Sequence, residues 1–186
     1  MSQLNSKCKI CGKIHLNVCQ HHNEGKNPYV ALVFSCPGEE EEKHGKPIYG
    51  KTGARFEQVL GILHERNIFK QYLSKYDFRI TNAYCAVPPT GSEWSDTLIK
   101  APANIERLFE ELEDTINCKG VIICFGNKAQ MAIDEMCNVK VKNVTPQIIK
   151  TNHPSPRTVP QGITPKSIAE DIIEQIEKMT MPIKNL

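Results

Sequence analysis

At 186 residues, 40% hydrophobic and 24% charged, with a formal net charge of +2, the chain fits one globular domain that buries a sizeable core, with at most a small appendage. This composition excludes a disordered or fibrous protein, and no apolar stretch reaches the roughly 18 residues of a membrane span. The charge is too small to name a partner, so any claim of DNA binding must rest on a local site. Met1 to Lys9 is polar, without a signal-peptide core, so a cytoplasmic location is expected. In that setting the eight cysteines read as reduced thiols, some of them binding metal, rather than as a disulfide framework.

Residues 1–27 form a head rich in Cys and His. Cys8-Lys9-Ile10-Cys11 is a CxxC, followed by Cys19 and by His21 and His22. Cys8, Cys11, Cys19 and His22, with His21 nearly as good a choice as His22, make the ligand set of a tetrahedral zinc site, which would hold together a segment too small to fold alone.

From residue 28 to 186 apolar runs alternate with helical patterns. Tyr29 to Phe34 (YVALVF) reads as a first strand, and the acidic run Glu39 to Glu42 after it as a solvated loop. Gly53 to Asn67 places Phe56, Val59, Leu60 and Leu63 on one helical face. Phe78 to Tyr84 is a second strand. Between Asn104 and Asn117, Ile105, Leu108, Phe109, Leu112 and Ile116 form a stripe opposite a run of acids, with Asn104 as the expected N-cap. Val121 to Phe125 (VIICF) is a third strand, followed from Gly126 by a helix carrying Ala129, Ala132, Ile133 and Met136. Gln147 to Thr151 is a fourth strand, and Lys166 to Met179 closes the chain with Ile168, Ile172, Ile176 and Met179 on one side. The pattern predicts an α/β fold, a three-layer α/β/α sandwich around a central, mostly parallel four-stranded sheet.

In open sheets of this kind ligands bind beyond the carboxyl ends of the strands. The residues there are Ser35-Cys36-Pro37-Gly38, then Asn82, Gly126, and Asn152-His153. His153-Pro154-Ser155-Pro156 lifts a histidine off a strand end on a loop stiffened by prolines, which suits ligand contact better than packing. Taken singly, an Asn at a strand end is a turn residue and a lone His is structural. Their joint occurrence at neighbouring strand ends points to a site.

This constellation resembles the uracil-DNA glycosylase superfamily, most closely its iron–sulfur-containing branch. That branch has a GEAPG motif, an acidic pair and GxPFVGxAG; Phe34 to Gly53, FSCPGEEEEKHGKPIYGKTG, aligns without a gap, matching at Pro37, Gly38, Glu41, Gly45, Pro47, Gly50 and Gly53. Ile80-Thr81-Asn82 matches the family's ITN strand end, with Pro88-Pro89 beyond it. Cys124-Phe125-Gly126 resembles its glycine turn, and His153 to Pro156 matches its HPSP loop. The resemblance covers about residues 29–175, and it implies a monofunctional DNA glycosylase that hydrolyses the N-glycosidic bond of a flipped-out pyrimidine, with DNA as partner, no membrane, and a monomeric state.

The implied roles are chemically sensible on these residues. The base leaves as an anion, which His153 is suited to stabilise by a hydrogen bond, aided by backbone N–H groups around Cys36 to Gly38. Asn82 carries a donor and an acceptor on one amide and can read a pyrimidine edge. One member of the acidic run would order the loop. Ser155 belongs to the HPSP loop, and Arg157, where the family has an apolar wedge, would occupy the gap left by the flipped base. No lysine sits at a motif position suited to a Schiff base.

Three departures from the pattern bear on substrate and cofactor. The carboxylate of GEAPG that orients water falls on Ser35, which needs help to act as a base, from the backbone or from a neighbouring acid such as Glu39. The ring that stacks on the base falls on Ile48, with Tyr49 beside it, which relaxes the pocket and brings a larger pyrimidine into range. Cys8, Cys11 and Cys85 match three of the iron–sulfur ligands, but Ala86 to Asn117 contains no cysteine for the fourth, which favours zinc over a cluster. The alternatives are a defence glycosylase that excises a bulky modified cytosine from viral DNA, a catalytically inert DNA-binding module of the same fold and, more remotely, a metal-regulated nucleotide-binding protein. Lys43, His44, Lys46, Lys51 and Arg55, and Lys140, Lys142, Lys150 and Arg157, would meet phosphates if the crevice faces DNA. Taken one at a time, each reads equally well as a solvated surface cation.

Overall fold

The computed structural model of the chain describes residues 22–89, 92–141, 146–155 and 162–179. Four strands, β1 (Val30–Phe34), β2 (Arg79–Asn82), β3 (Val121–Phe125) and β4 (Gln147–Thr151), form one sheet in the order β2-β1-β3-β4, parallel throughout. β1 and β3 are uninterrupted apolar runs and are buried at every position, as strands covered on both faces must be. Alternation along the strands divides the core in two. Val30, Leu32, Phe34, Ile80, Ile123, Phe125 and Ile149 pack under α2 (Lys51–Glu65) and α6 (Pro165–Lys178). Ala31, Val33, Ile122 and Cys124 pack under α4 (Pro102–Asn117) and α5 (Asn127–Lys140). The three-layer α/β/α sandwich predicted from the pattern is therefore present, with all four strands parallel.

The local elements differ from the expectations in three places. Glu39–His44 is a short helix, α1, rather than a solvated loop, because Gly38 caps it and the carboxylate of Glu41 turns back to the cap N–H in a capping box. A further helix, α3, spans Asp96–Ile99 with Ser95 as its cap. The helix expected from Asn104 begins at Pro102, with Ala101 at the N-cap position, so Asn104 is not the cap. Asn104 is wholly buried instead, and its amide donates to the carbonyls of Ala83 and Ile99, both at 2.7 Å.

Each outer strand has a companion. Along β2, Asn23 exchanges backbone hydrogen bonds with Ile80 at 2.9 and 2.7 Å, and its side-chain amide donates to the carbonyls of Tyr76 and Phe78. Along β4, the side-chain amide of Gln175 on α6 accepts from the N–H of Lys150 at 3.1 Å and donates to its carbonyl at 2.9 Å. Gly25 turns the 22–26 segment against β2. Its φ is +68°, and a Cβ there would lie 2.4 Å from the backbone carbon of Phe78. Gly25→Ala should therefore lower stability by about 1–3 kcal/mol in chemical denaturation. It should also speed hydrogen exchange at the Ile80 amide, whose partner is the Asn23 carbonyl.

Candidate functional site

In this strand order β1 lies inside the sheet, with β2 on one side and β3 and β4 on the other, so the topological switch falls between β1 and β3. The residues leaving those two strands are Ser35 and Gly126, and the place where folds of this kind bind their ligands lies between them. Gly126 has φ +87° and caps α5; its N–H donates to the Thr151 carbonyl at 2.8 Å, which also accepts from Gln130 Nε2 at 3.2 Å. A Cβ built on Gly126 would lie 3.1 Å from His153 Cβ and 3.7 Å from Ser35 Oγ. The absent side chain is thus the space in which the ends of β1, β3 and β4 converge.

His153 is held from two sides. Phe34 meets its ring edge to face at 5.7 Å, and the backbone N–H of Ser155 donates to Nδ1 at 3.0 Å. An Nδ1 that accepts cannot carry the proton of a neutral ring, so the proton sits on Nε2. Burial pushes the imidazole pKa from 6.5 down to about 4, so near neutral pH the ring is an uncharged Nε2–H donor. Asn82 ends β2 opposite Phe34 in the register and is almost fully buried. Alternation puts it on the Ile80 side of the sheet, the side on which Phe34 meets His153. Ser35, Asn82 and His153, predicted from three separate strand ends, are accordingly neighbours around Phe34.

The loop after β1 is organised by Glu41. Its carboxylate, buried at the start of α1, accepts from the N–H of Gly38 and from the N–H of Ile48, which ties the turn after β1 to the turn before α2. Desolvation raises its pKa while those two N–H groups oppose the rise. This corrects one expected role. The Gly38 N–H is committed to Glu41 and Pro37 has none, so of the Cys36 to Gly38 donors only that of Cys36 remains for a ligand. Burial, with Glu41 and Glu93 nearby, pushes the Cys36 thiol up to about 11, which keeps it neutral and non-nucleophilic near pH 7. Ile48 is 1% exposed with φ +44°, an unusual backbone for a β-branched residue, and its side chain is part of the core rather than a lid over an open pocket. Tyr49 is exposed instead and stacks on His44, with ring centroids 4.1 Å apart.

The expected phosphate-binding cations separate into two groups. Lys140 pairs with Glu106, and Lys150 pairs with Asp134 at 2.7 Å, so these two members of the set near β4 are matched by acids of the protein itself. Near α1 and α2, Lys46 lies over the Tyr76 ring, and Arg55 donates to the Ile163 carbonyl at 3.1 Å. Lys142 and Arg157 lie outside the described residues. So do Cys8, Cys11, Cys19 and His21. Of the expected zinc ligands His22 alone is described, and its Nδ1 is buried with no hydrogen-bond partner among the described residues. Among the described residues no group of three or more His, Cys, Asp or Glu is placed to hold a metal.

The loop-ordering acid that the resemblance implies is Glu41. Sequence reasoning missed two devices: the Ser155 N–H that fixes the His153 tautomer, and a buried ion pair, Arg107–Glu111, behind Asn82, which the i,i+4 spacing of an Arg and a Glu signals.

The uracil DNA glycosylase superfamily model matches residues 22–174. The chain belongs to the uracil DNA glycosylase superfamily, and membership supports, in general terms, a glycosylase hydrolase that acts on DNA. No curated protein matches it. Among the described residues no helix is long and apolar enough to cross a membrane.

The folded pKa of His153, about 4, lies below its unfolded value of 6.5. Neither state binds the proton above that range. As pH falls from 6.5 toward 4 the unfolded chain is protonated first, so the fold loses stability across this window. His153→Gln should flatten the fall when denaturation midpoints are compared at several pH values.

Proposed function

We propose that the chain is a monofunctional DNA glycosylase that hydrolyses the N-glycosidic bond of a flipped-out uracil or other damaged or modified pyrimidine. The observation that carries this reading is the His153 tautomer: a neutral ring, its Nδ1 engaged by the Ser155 N–H, keeps its proton on Nε2 at the switch point, where His153 and Ser35 both lie against Gly126. As the glycosidic bond breaks, negative charge grows on a pyrimidine oxygen. A donor already oriented in a water-poor site stabilises that charge more than it stabilises the neutral base.

In this reading Asn82 recognises the edge of the base, and the Cys36 N–H supplies a second donor. Ser35, at the mouth between Gly126 and His153, positions the water, with the sugar cation supplying most of the drive for its attack. Ser155 and Arg157 support the flipped nucleotide, which is least costly to extrude from a mismatched or weakened pair. Lys43, Lys46 and Lys51 would meet phosphates of the bound strand.

A second reading is favoured by the Ile48–Tyr49 turn. With Ile48 packed into the core and Tyr49 turned to solvent, the position of the family's stacking ring supplies no flat lid, and a bulky modified cytosine of viral DNA becomes a candidate substrate. Base release from DNAs containing uracil, deaminated purines or hypermodified cytosines, with products identified by mass spectrometry, distinguishes the two. Release of uracil alone excludes the defence role. Binding without any release leaves an inert DNA-binding module. His153→Ala and Asn82→Ala should each lower the rate of release by about 10²-fold or more while the fold persists.

The head would bind structural zinc through Cys8, Cys11, Cys19 and His22. A buried imidazole nitrogen without a hydrogen-bond partner, as His22 presents among the described residues, suits a metal-ligating ring. Elemental analysis of the purified protein should find about one zinc per chain, reduced in His22→Ala. Iron with visible absorption would indicate a cluster instead.

A further inference from the structure

The base-reading residue of the proposed site is held by a buried charged group on α4 that the site itself does not use. Past the end of β2 the ladder is nearly exhausted, yet two successive peptide units are fixed at both ends. The Ala83 N–H donates to the Phe34 carbonyl at 2.7 Å, and the carbonyl of the same peptide unit, that of Asn82, accepts from Arg107 Nη2 at 2.8 Å. In the next unit the Tyr84 N–H donates to the Ser35 carbonyl at 3.1 Å, while the Ala83 carbonyl accepts from Asn104 Nδ2 at 2.7 Å and from Arg107 Nη2 at 3.3 Å.

The guanidinium that delivers these bonds is itself locked. Its Nη1 pairs with the Glu111 carboxylate at 2.5 Å, its Nε and Nη2 reach the Asn104 side-chain oxygen at 3.1 and 3.0 Å, and the Thr81 hydroxyl donates to the same Glu111 carboxylate. Arg107 is 8% exposed, Glu111 5% and Asn104 0%. Taking an ion pair out of water is costly, and buried pairs replaced by well-packed apolar residues often lose no stability. Two strand-end carbonyls, however, need donors in a fixed plane, which a planar fork supplies and a lysine ammonium does not.

We propose that Arg107 is a positioning residue for Asn82: its guanidinium, oriented by Glu111 and Asn104, fixes the peptide plane from which the Asn82 side chain projects and so sets the angle at which that amide meets the base. The functional part of this inference rests on the glycosylase reading, and the structural part does not.

Two measurements on the full chain test it. In the first, Arg107→Lys, which keeps the charge opposite Glu111 but loses the fork, is compared on the DNA from which base is released. The loss in kcat/KM should be about 10-fold to 10²-fold. It should vanish in the Asn82→Ala background, where the double variant matches Asn82→Ala within about twofold. A merely structural role would add its cost in both backgrounds, and that outcome overturns the proposal.

In the second, the side-chain amide resonances of Asn82, assigned by their absence in Asn82→Ala, should shift and broaden in Arg107→Lys. Unchanged resonances in a folded variant overturn the proposal whether or not the protein cleaves DNA. Glu111→Gln, which frees the fork without removing it, should move both readouts the same way by a smaller amount, and it carries the test if Arg107→Lys does not fold. Failure of the wild-type protein to release any base would defeat the glycosylase reading and leave the resonances to decide the role of Arg107.

Discussion

Parallel strands cannot be joined by a tight turn, and that restriction shapes everything functional in this chain. Each connection must cross the sheet through a helix, so every strand delivers its carboxyl end to the same rim. With β1 inside the sheet, the connection leaving β1 for β2 and the one leaving β3 for β4 run in opposite directions and part the rim between Ser35 and Gly126. The crevice is a product of topology before any side chain is chosen. What the sequence adds is a residue without a side chain at Gly126, so that His153 from the next strand can close over the gap.

The rim is also where the fold concentrates its buried polar groups. Glu41 joins two turns through two N–H groups, Arg107 and Asn104 take up the carbonyls beyond β2, and the Thr151 carbonyl accepts from both Gly126 and Gln130. Each of these groups would be costly to bury unpaired, and paired they leave the turns little freedom. His153 benefits directly. Its one accepting nitrogen is occupied by the chain that follows it, and the surrounding protein makes a charged ring unfavourable, so one tautomer and one charge state prevail. A site that acts by stabilising developing charge needs groups oriented in advance, and here the backbone does much of the orienting.

The strands and the four long helices were legible from apolar runs and helical spacing, with boundaries shifted by a few residues. The positions of Ser35, Asn82 and His153 were legible as well, because an open parallel sheet brings all strand ends to one rim. The failures share a cause. Glu39 to Glu42 reads as a solvated run from composition alone; the resemblance implies that one acid orders the loop, but nothing in composition says which of the four turns inward onto two N–H groups. Asn104 reads as a cap because its residue type favours that role, but the cap falls three residues earlier and its amide serves two carbonyls instead. On α4 the spacing sets the acids opposite the apolar stripe, whereas Asn104, Arg107, Glu111 and Thr115 form a second buried row facing Arg79 and Thr81 of β2. A polar row looks like a wet surface unless its complement, many residues away, is known. Ile48 is the same lesson at one position: motif alignment places it over a substrate, and the backbone turns it into the core.

The Gln175 amide that grips both the N–H and the carbonyl of Lys150 has a consequence for how this protein meets others. It imitates a fifth strand for one residue, at the place where β4 would otherwise offer a free rung to a passing polypeptide. On the opposite side of the sheet, Asn23 occupies the matching rung at Ile80. At both of these rungs, strand-by-strand growth into fibres or augmented sheets finds the hydrogen bonds already taken.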